Sequence, residues 1–193
     1  MLVKQDADAI AEFETDEGGA FHAAGVEAVY FPENVDDVAQ VLREANARGI
    51  FVTTSGGGTG LTGGRVATGG GWVLSTAEMR EAHVGRDILD RPIAGPACPA
   101  PRVIEHEQFG RTYSILLEEE RLEAVAPAGL TLELLGGMLP AGVIYPPDPT
   151  ERTATLGGSI ATNASGARTF HYGATRQWVE ALELVLPTGE PLT

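Results

Sequence analysis

The sequence predicts a loop-rich mixed fold, α/β or α+β, and three observations carry that expectation. A strand pattern, an amphipathic helix pattern and a second strand pattern follow one another between Val29 and Thr54. Two glycine-rich segments, Thr53 to Gly64 (TTSGGGTGLTGG) and Pro146 to Gly166 (PPDPTERTATLGGSIATNASG), sit among such patterns. Apolar residues make up 43% of the 193 residues and charged residues 21%, so a packed core is expected over most of the length.

Taken in order, the acidic start holds a short helix near Ala7 to Phe13, and Val29 to Phe31 reads as a strand before Pro32. The next stretch, PENVDDVAQVLREANARGI, is an amphipathic helix: Val35, Val38, Leu42 and Ala45 recur at helical spacing. Asn34 is its N-cap, Asp37 stands at the capping-box position, and Gly49 ends it. Ile50 to Thr54 is a buried strand running straight into the first glycine segment, and Trp72 to Ser75 is the strand after it. From Arg80 to Gln108 the pattern is weak and broken by prolines, which reads as an irregular excursion with room for one short strand. Thr112 to Leu117 and Leu122 to Ala126 pair as a hairpin across Glu118 to Arg121. Thr131 to Leu139 is a helix starting at a Thr cap, weakened by Gly136 and Gly137. Val179 to Leu186 is an apolar strand followed by the turn Pro187 to Glu190. Only three residues follow that turn, so the strand is expected to lack a neighbour, which marks the chain as a fragment.

Charge and composition exclude several function classes. Acidic residues outnumber basic ones 27 to 13, and the net charge of −14 repels nucleic acid. No apolar run reaches membrane-spanning length and no secretory signal is visible, so a cytoplasmic protein is expected. The lone Cys98, in the loop GPACPAP, permits no intrachain disulfide. The histidines His22, His83, His106 and His171 do not pair at metal spacing, so no metal is expected. His171, beside the second glycine segment, is the one nearest a candidate site, and Arg168 and Arg176 flank it. No Ser–His–Asp arrangement appears.

The two glycine segments carry the functional signal. Glycine reaches φ > 0 and lets a ligand approach the main chain, and successive N–H groups in such loops form concave anion sites. Two such segments suggest a large phosphorylated cofactor gripped from two sides. The first segment holds no Lys and has Arg65 just beyond it, so a phosphate there is to be held by main-chain dipoles and hydroxyls. It is not a P-loop, because no Gly-Lys-Ser/Thr follows. Nor is it the dinucleotide fingerprint in context, because a strand follows where a helix should. In the second segment Thr155, Ser159, Thr162, Asn163 and Ser165 offer neutral hydrogen-bonding groups among small residues. A flexible linker for the first segment, and a tight Gly/Ala packing seam for the second, remain open at this point.

Two longer stretches carry a resemblance. VYFPENVDDVAQVLREANARGIFVTTSGGGTGLTGG and AGVIYPPDPTERTATLGGSIATNASGARTFHYGATRQWVEALELVLPTGE together cover about half the chain. They resemble the flavin-binding half of the vanillyl-alcohol oxidase and p-cresol methylhydroxylase superfamily, in the branch of D-lactate dehydrogenase and the glycolate oxidase flavin subunit. The resemblance implies an α+β, two-subdomain PCMH-type FAD-binding fold with the second subdomain incomplete. The first subdomain would take about residues 1–125 and the start of the second about 126–193, with the substrate domain absent. It implies non-covalent FAD, since no His stands in the first loop. Ser55, Gly56, Gly57, Gly58, Thr59, Gly60 and Leu61 would cradle the pyrophosphate. Pro147 and Asp148 would lie near the flavin, and Thr155, Gly157, Gly158, Ser159, Thr162, Asn163, Ser165 and Gly166 would line the rest of the cofactor.

The implied activity is that of an FAD-dependent oxidoreductase that dehydrogenates a small 2-hydroxy acid or alcohol. The alternative is a non-catalytic FAD-binding subunit, or a truncated remnant, that needs a partner chain or self-association to complete its sheet. A cell-wall precursor reductase shares the fold, but PPDPTE and NASGARTFHYG argue against it. Three departures from the family pattern stand out: Ser55 replaces a common Arg, Thr175-Arg176-Gln177 replaces the TRD motif, and the excursion near 80–108 is long. No catalytic acid or base of the family is visible in this chain.

Overall fold

The computed structural model describes residues 1–82 and 101–192. Cys98 with its proline-punctuated loop, His83 and most of the 80–108 excursion lie outside the described residues. The chain forms two compact units, one of Met1–Met79 with Leu184–Leu192 and one of Arg80–Glu183.

The first unit is built on a four-stranded sheet of order β1-β2-β4-β3, from β1 (Leu2–Lys4), β2 (Val26–Phe31), β3 (Val52–Ser55) and β4 (Gly71–Ser75). β1 runs antiparallel to β2, and β2, β4 and β3 are parallel. Period-two alternation sends Val29, Phe31 and Val73 to one face, where Phe13 and Ala67 cover them. It sends Ala28, Trp72 and Leu74 to the other face, under Val41 and Ala45 of α2 (Val35–Arg48). Helix α1 (Ala7–Ala11) begins at Asp6, whose side chain accepts from the Ala9 N–H.

Helix α2 is capped by local chemistry. The Asn34 side chain accepts from the Asp37 N–H at 2.9 Å, and Asp37 reaches back to the Glu33 N–H at 3.1 Å. The reciprocal bond of the capping box therefore lands one residue before the cap. Gly49 closes the helix at φ 66, a left-handed conformation that glycine adopts without a Cβ penalty.

The expected strand Val179 to Leu186 is corrected. Residues in this stretch alternate between half-buried and exposed, as an extended chain should, yet only β8 (Leu184–Val185) has a neighbour. That neighbour is β9 (Pro191–Leu192), so the hairpin does not stop at its turn. Its turn packs on α2, and the strand expected to lack a partner has one.

The second unit holds an antiparallel sheet β5-β6-β7 from β5 (Arg102–Gln108), β6 (Arg111–Glu118) and β7 (Glu123–Val125). Ile104, Tyr113 and Ile115 face α3 (Leu132–Met138), whose Leu134, Leu135 and Met138 complete the cluster with Leu130. The hairpin β6–β7 and the Thr131 cap of α3 stand as the residues implied. Within the second glycine segment, for which the sequence suggested no element, Leu156–Ala161 folds as a short helix, α4. Helix α5 (Thr169–Tyr172) and a 3-10 turn (Thr175–Trp178) follow. Helices α3 and α4 start from one antiparallel bridge between Thr131 and Thr155, each of which caps its own helix.

Candidate functional site

In the first unit the candidate residues leave the end of β3 as a single loop. Ser55 is buried at 1% exposure and closes the strand, opposite Ser75. Its hydroxyl donates to the Gly56 carbonyl at 3.3 Å. Gly57, Gly60 and Leu61 are exposed, and Gly56, Gly58 and Thr59 are half-buried. Gly58 has φ 79, and a Cβ there would run into the Arg65 guanidinium. Among the described residues, none accepts a hydrogen bond from any main-chain N–H between Gly56 and Thr62. A run of unmet donors on an exposed loop is the physical requirement for holding an anion without cations.

Arg65 was expected only beyond the loop in sequence, and the fold brings it back beside Gly58. It donates to the Glu12 carbonyl and lies 4.8 Å over the Phe13 ring. Burial pulls its pKa below the ordinary value, with Asp16 and Glu12 acting the other way. Asp16, which the sequence did not single out, is buried at 7% exposure against the same loop. It accepts from the Gly63 N–H at 2.6 Å.

In the second unit the candidate residues serve two different ends. Thr155 caps α4 by accepting from the Gly158 N–H at 3.3 Å. A Cβ on Gly157 would sit 2.9 Å from the Ala128 Cβ, and one on Gly166 would collide with the Asp148 carbonyl. These two glycines thus have a packing reason of their own, the seam that the sequence left open. Thr162 returns its hydroxyl to the Gly158 carbonyl at 2.8 Å, and Ser165 donates to the Asn163 carbonyl at 3.4 Å. Asn163 is held at φ 49, and its side chain accepts from the Arg176 N–H at 3.1 Å. Ser159 is 2% exposed, and its hydroxyl has no hydrogen-bond partner among the described residues. A buried hydroxyl left unmet costs free energy unless a ligand or water reaches it.

A cleft of about 240 Å³ opens in this unit beside the PPDP turn, lined by Tyr145, Pro147, Asp148, Arg152 and Arg168 among others. Arg168 pairs with Asp148 at 3.2 Å across it. Burial raises the Tyr145 pKa, with the Thr175 hydroxyl opposing. His171 is exposed and packs edge-on against Tyr172 at 4.5 Å, outside the cleft lining. Among the described residues no group of three His, Cys, Asp or Glu is arranged to hold a metal ion.

A family model described as an FAD binding domain matches residues 26–193. The chain belongs to the FAD binding domain family. The chain is 33% identical over 179 residues to a D-lactate dehydrogenase of Anaerostipes hadrus, covering 93% of this chain and 31% of that protein. It is 34% identical over 167 residues to a D-2-hydroxyglutarate dehydrogenase of Xanthomonas citri pv. viticola, covering 86% and 29%. It thus spans about a third of the length of the curated relatives it matches. A solved structure of an alkyldihydroxyacetonephosphate synthase shares the fold, with TM-score 0.72 at 18% identity over 98% of this chain and 34% of that one. This FAD binding domain is therefore of the PCMH type in fold, and FAD is its cofactor. The residues present fit such a group on their own terms: unmet N–H donors along the first loop, and a buried, unmet Ser159 hydroxyl in the second unit.

Proposed function

We propose that this chain is the FAD-binding portion of a flavin-dependent dehydrogenase acting on a small 2-hydroxy acid. The observation that carries the reading is the unbroken row of unmet main-chain N–H groups from Gly56 to Thr62 in a member of the FAD binding domain family. Ser55 to Leu61 would hold the cofactor's diphosphate, with the Arg65 guanidinium as the nearby cation. Pro147, Asp148, Thr155, Gly157, Gly158, Ser159, Thr162, Asn163, Ser165 and Gly166 would serve the remainder of the cofactor. FAD would be held without a covalent link. When bound it supplies the hydride acceptor; the chain's residues bind and orient it.

The names of the relatives, which concern lactate and 2-hydroxyglutarate, support the substrate class. Arg152 and Arg168 beside the PPDP turn are consistent with an acidic small molecule. No catalytic acid or base is assigned among the described residues. A partner chain or further polypeptide would then complete the enzyme. The net charge speaks against nucleic acid. Among the described residues no helix is long and apolar enough to cross a membrane, and we take the cytoplasm as the compartment.

The test is a visible spectrum of the purified chain with FAD, followed by a panel of 2-hydroxy acids. The reading expects a bound flavin spectrum. Bleaching by a hydroxy acid marks a competent enzyme, and bound flavin without bleaching marks a cofactor-binding portion. Gly57→Asp places a carboxylate on the exposed loop where the diphosphate would lie, and it should abolish uptake. A colourless chain that takes up no FAD, or unchanged affinity in Gly57→Asp, contradicts the reading.

A further inference from the structure

The segment Asp16 to Gly19, far from the glycine loop in sequence, is joined to its underside by two hydrogen bonds and one close packing contact. The Glu17 N–H donates to the Gly58 carbonyl at 3.2 Å. Gly18 lies so close to Leu61 that a Cβ would fall 2.9 Å from the Leu61 Cα and collide with its carbonyl oxygen. Asp16 Oδ2 accepts from the Gly63 N–H at 2.6 Å, while Oδ1 accepts from Gly18 and Gly19 at 3.1 and 3.2 Å. One buried carboxylate therefore folds its own turn and ties that turn to the loop.

The ties decide where the loop's dipoles point. No peptide bond of the described residues is cis, and in a planar trans unit the carbonyl and the following N–H point in opposite directions. The Gly58 carbonyl is held on the Asp16 side, so the Thr59 N–H faces away from it. The Leu61 carbonyl faces Gly18, so the Thr62 N–H also faces away. Two carbonyl oxygens that would repel an anion, those of Gly58 and Leu61, are thus kept on the buttressed side and the Thr59 and Thr62 N–H groups on the open side, while the Gly63 N–H, tied to Asp16, turns the Thr62 carbonyl the other way.

We propose that Asp16 is the positioning residue of the phosphate-binding loop. It acts through the turn it folds and without touching the cofactor, and the inference rests on the reading of Ser55 to Leu61 given above. Two effects of the carboxylate have opposite sign. A negative charge behind the loop disfavours a diphosphate by Coulomb repulsion, whereas the order it imposes favours binding. In Asp16→Asn one oxygen becomes an NH2. Whichever way the amide turns, it faces either the Gly63 N–H or the Gly18 and Gly19 N–H groups with a donor. Removal of a charge alone would tighten FAD binding; loss of the buttress loosens it.

The experiment titrates FAD into the full chain by flavin fluorescence, for wild type, Asp16→Asn, Gly57→Asp and Asp6→Ala. It also measures 15N relaxation of residues 56–63 without FAD in wild type and Asp16→Asn. Asp6 caps α1 through the Ala9 N–H, and its side chain shares no hydrogen bond with the loop among the described residues, so its variant controls for general destabilisation. The expected result is at least about a tenfold rise in the FAD dissociation constant for Asp16→Asn, the size of one lost charge-assisted bond, with Asp6→Ala unchanged. Relaxation should show residues 56–63 ordered in wild type and mobile in Asp16→Asn. Equal or tighter binding in Asp16→Asn overturns the proposal, as does unchanged order in the ligand-free loop. If Gly57→Asp abolishes binding while Asp16→Asn does not, the buttress alone is wrong. If both leave affinity unchanged, the loop reading beneath it is wrong.

Discussion

Gly58 is a residue whose identity the loop geometry constrains. Its φ of 79 lies in the left-handed region, and the space a Cβ would take is filled by Arg65. An L-residue in that conformation costs about 1–2 kcal/mol, so Gly58→Ala should lower the unfolding free energy by at least that much in urea titration. It should also displace Arg65 from the Phe13 ring. A stability within about 0.5 kcal/mol of wild type would show that the loop relaxes freely there. Other single residues show how far sequence reading reached. Asn34 and Gly49 were legible because a cap is a bond between residues three or four apart. Asp16 was not, because its bond to Gly63 spans 47 positions and nothing in DEGG announces it. Arg65 was seen as a neighbour in sequence, while its approach to Gly58 is a property of the folded loop.

At the scale of elements, those with internal periodicity and a cap were readable, and those made by a neighbour were not. Helix α2 and the hairpin β6–β7 emerge from spacing alone. Helix α4 did not, because two glycines and a serine in LGGSIA depress helix propensity. It forms because Thr155 caps it, because Leu156 packs on the α3 cluster, and because Gly157 fits against Ala128 where a larger residue would not. The overlong strand at Val179 to Leu186 errs in the other direction: alternation was present, but a strand also needs a partner, and only Leu184 and Val185 have one. Since the α4 cap is a single local bond, Thr155→Ala should cost the second unit about 1 kcal/mol in thermal or urea unfolding, and Thr155→Ser should restore most of it. An unchanged midpoint in Thr155→Ala would mean that packing alone holds the helix.

For the whole molecule, the opposition between charge and function is the informative feature. A chain of net charge −14 belongs to a family that binds a doubly phosphorylated cofactor. Long-range electrostatics oppose that ligand, so short-range donors must overcome them, and the loop from Gly56 to Thr62 presents such donors with no protein acceptor among the described residues. The family and the cofactor were legible in the sequence because the glycine segments sit in a recognisable order; the buttress and the helix inside the second segment were not. The central claim is that main-chain dipoles of the first loop hold the diphosphate. Its most direct test compares the affinities of FAD and riboflavin for the same purified chain by fluorescence titration at physiological ionic strength. Net charge alone would favour neutral riboflavin. The account predicts the reverse, with FAD bound at least about tenfold more tightly through its diphosphate. Equal affinity, or tighter binding of riboflavin, would contradict it.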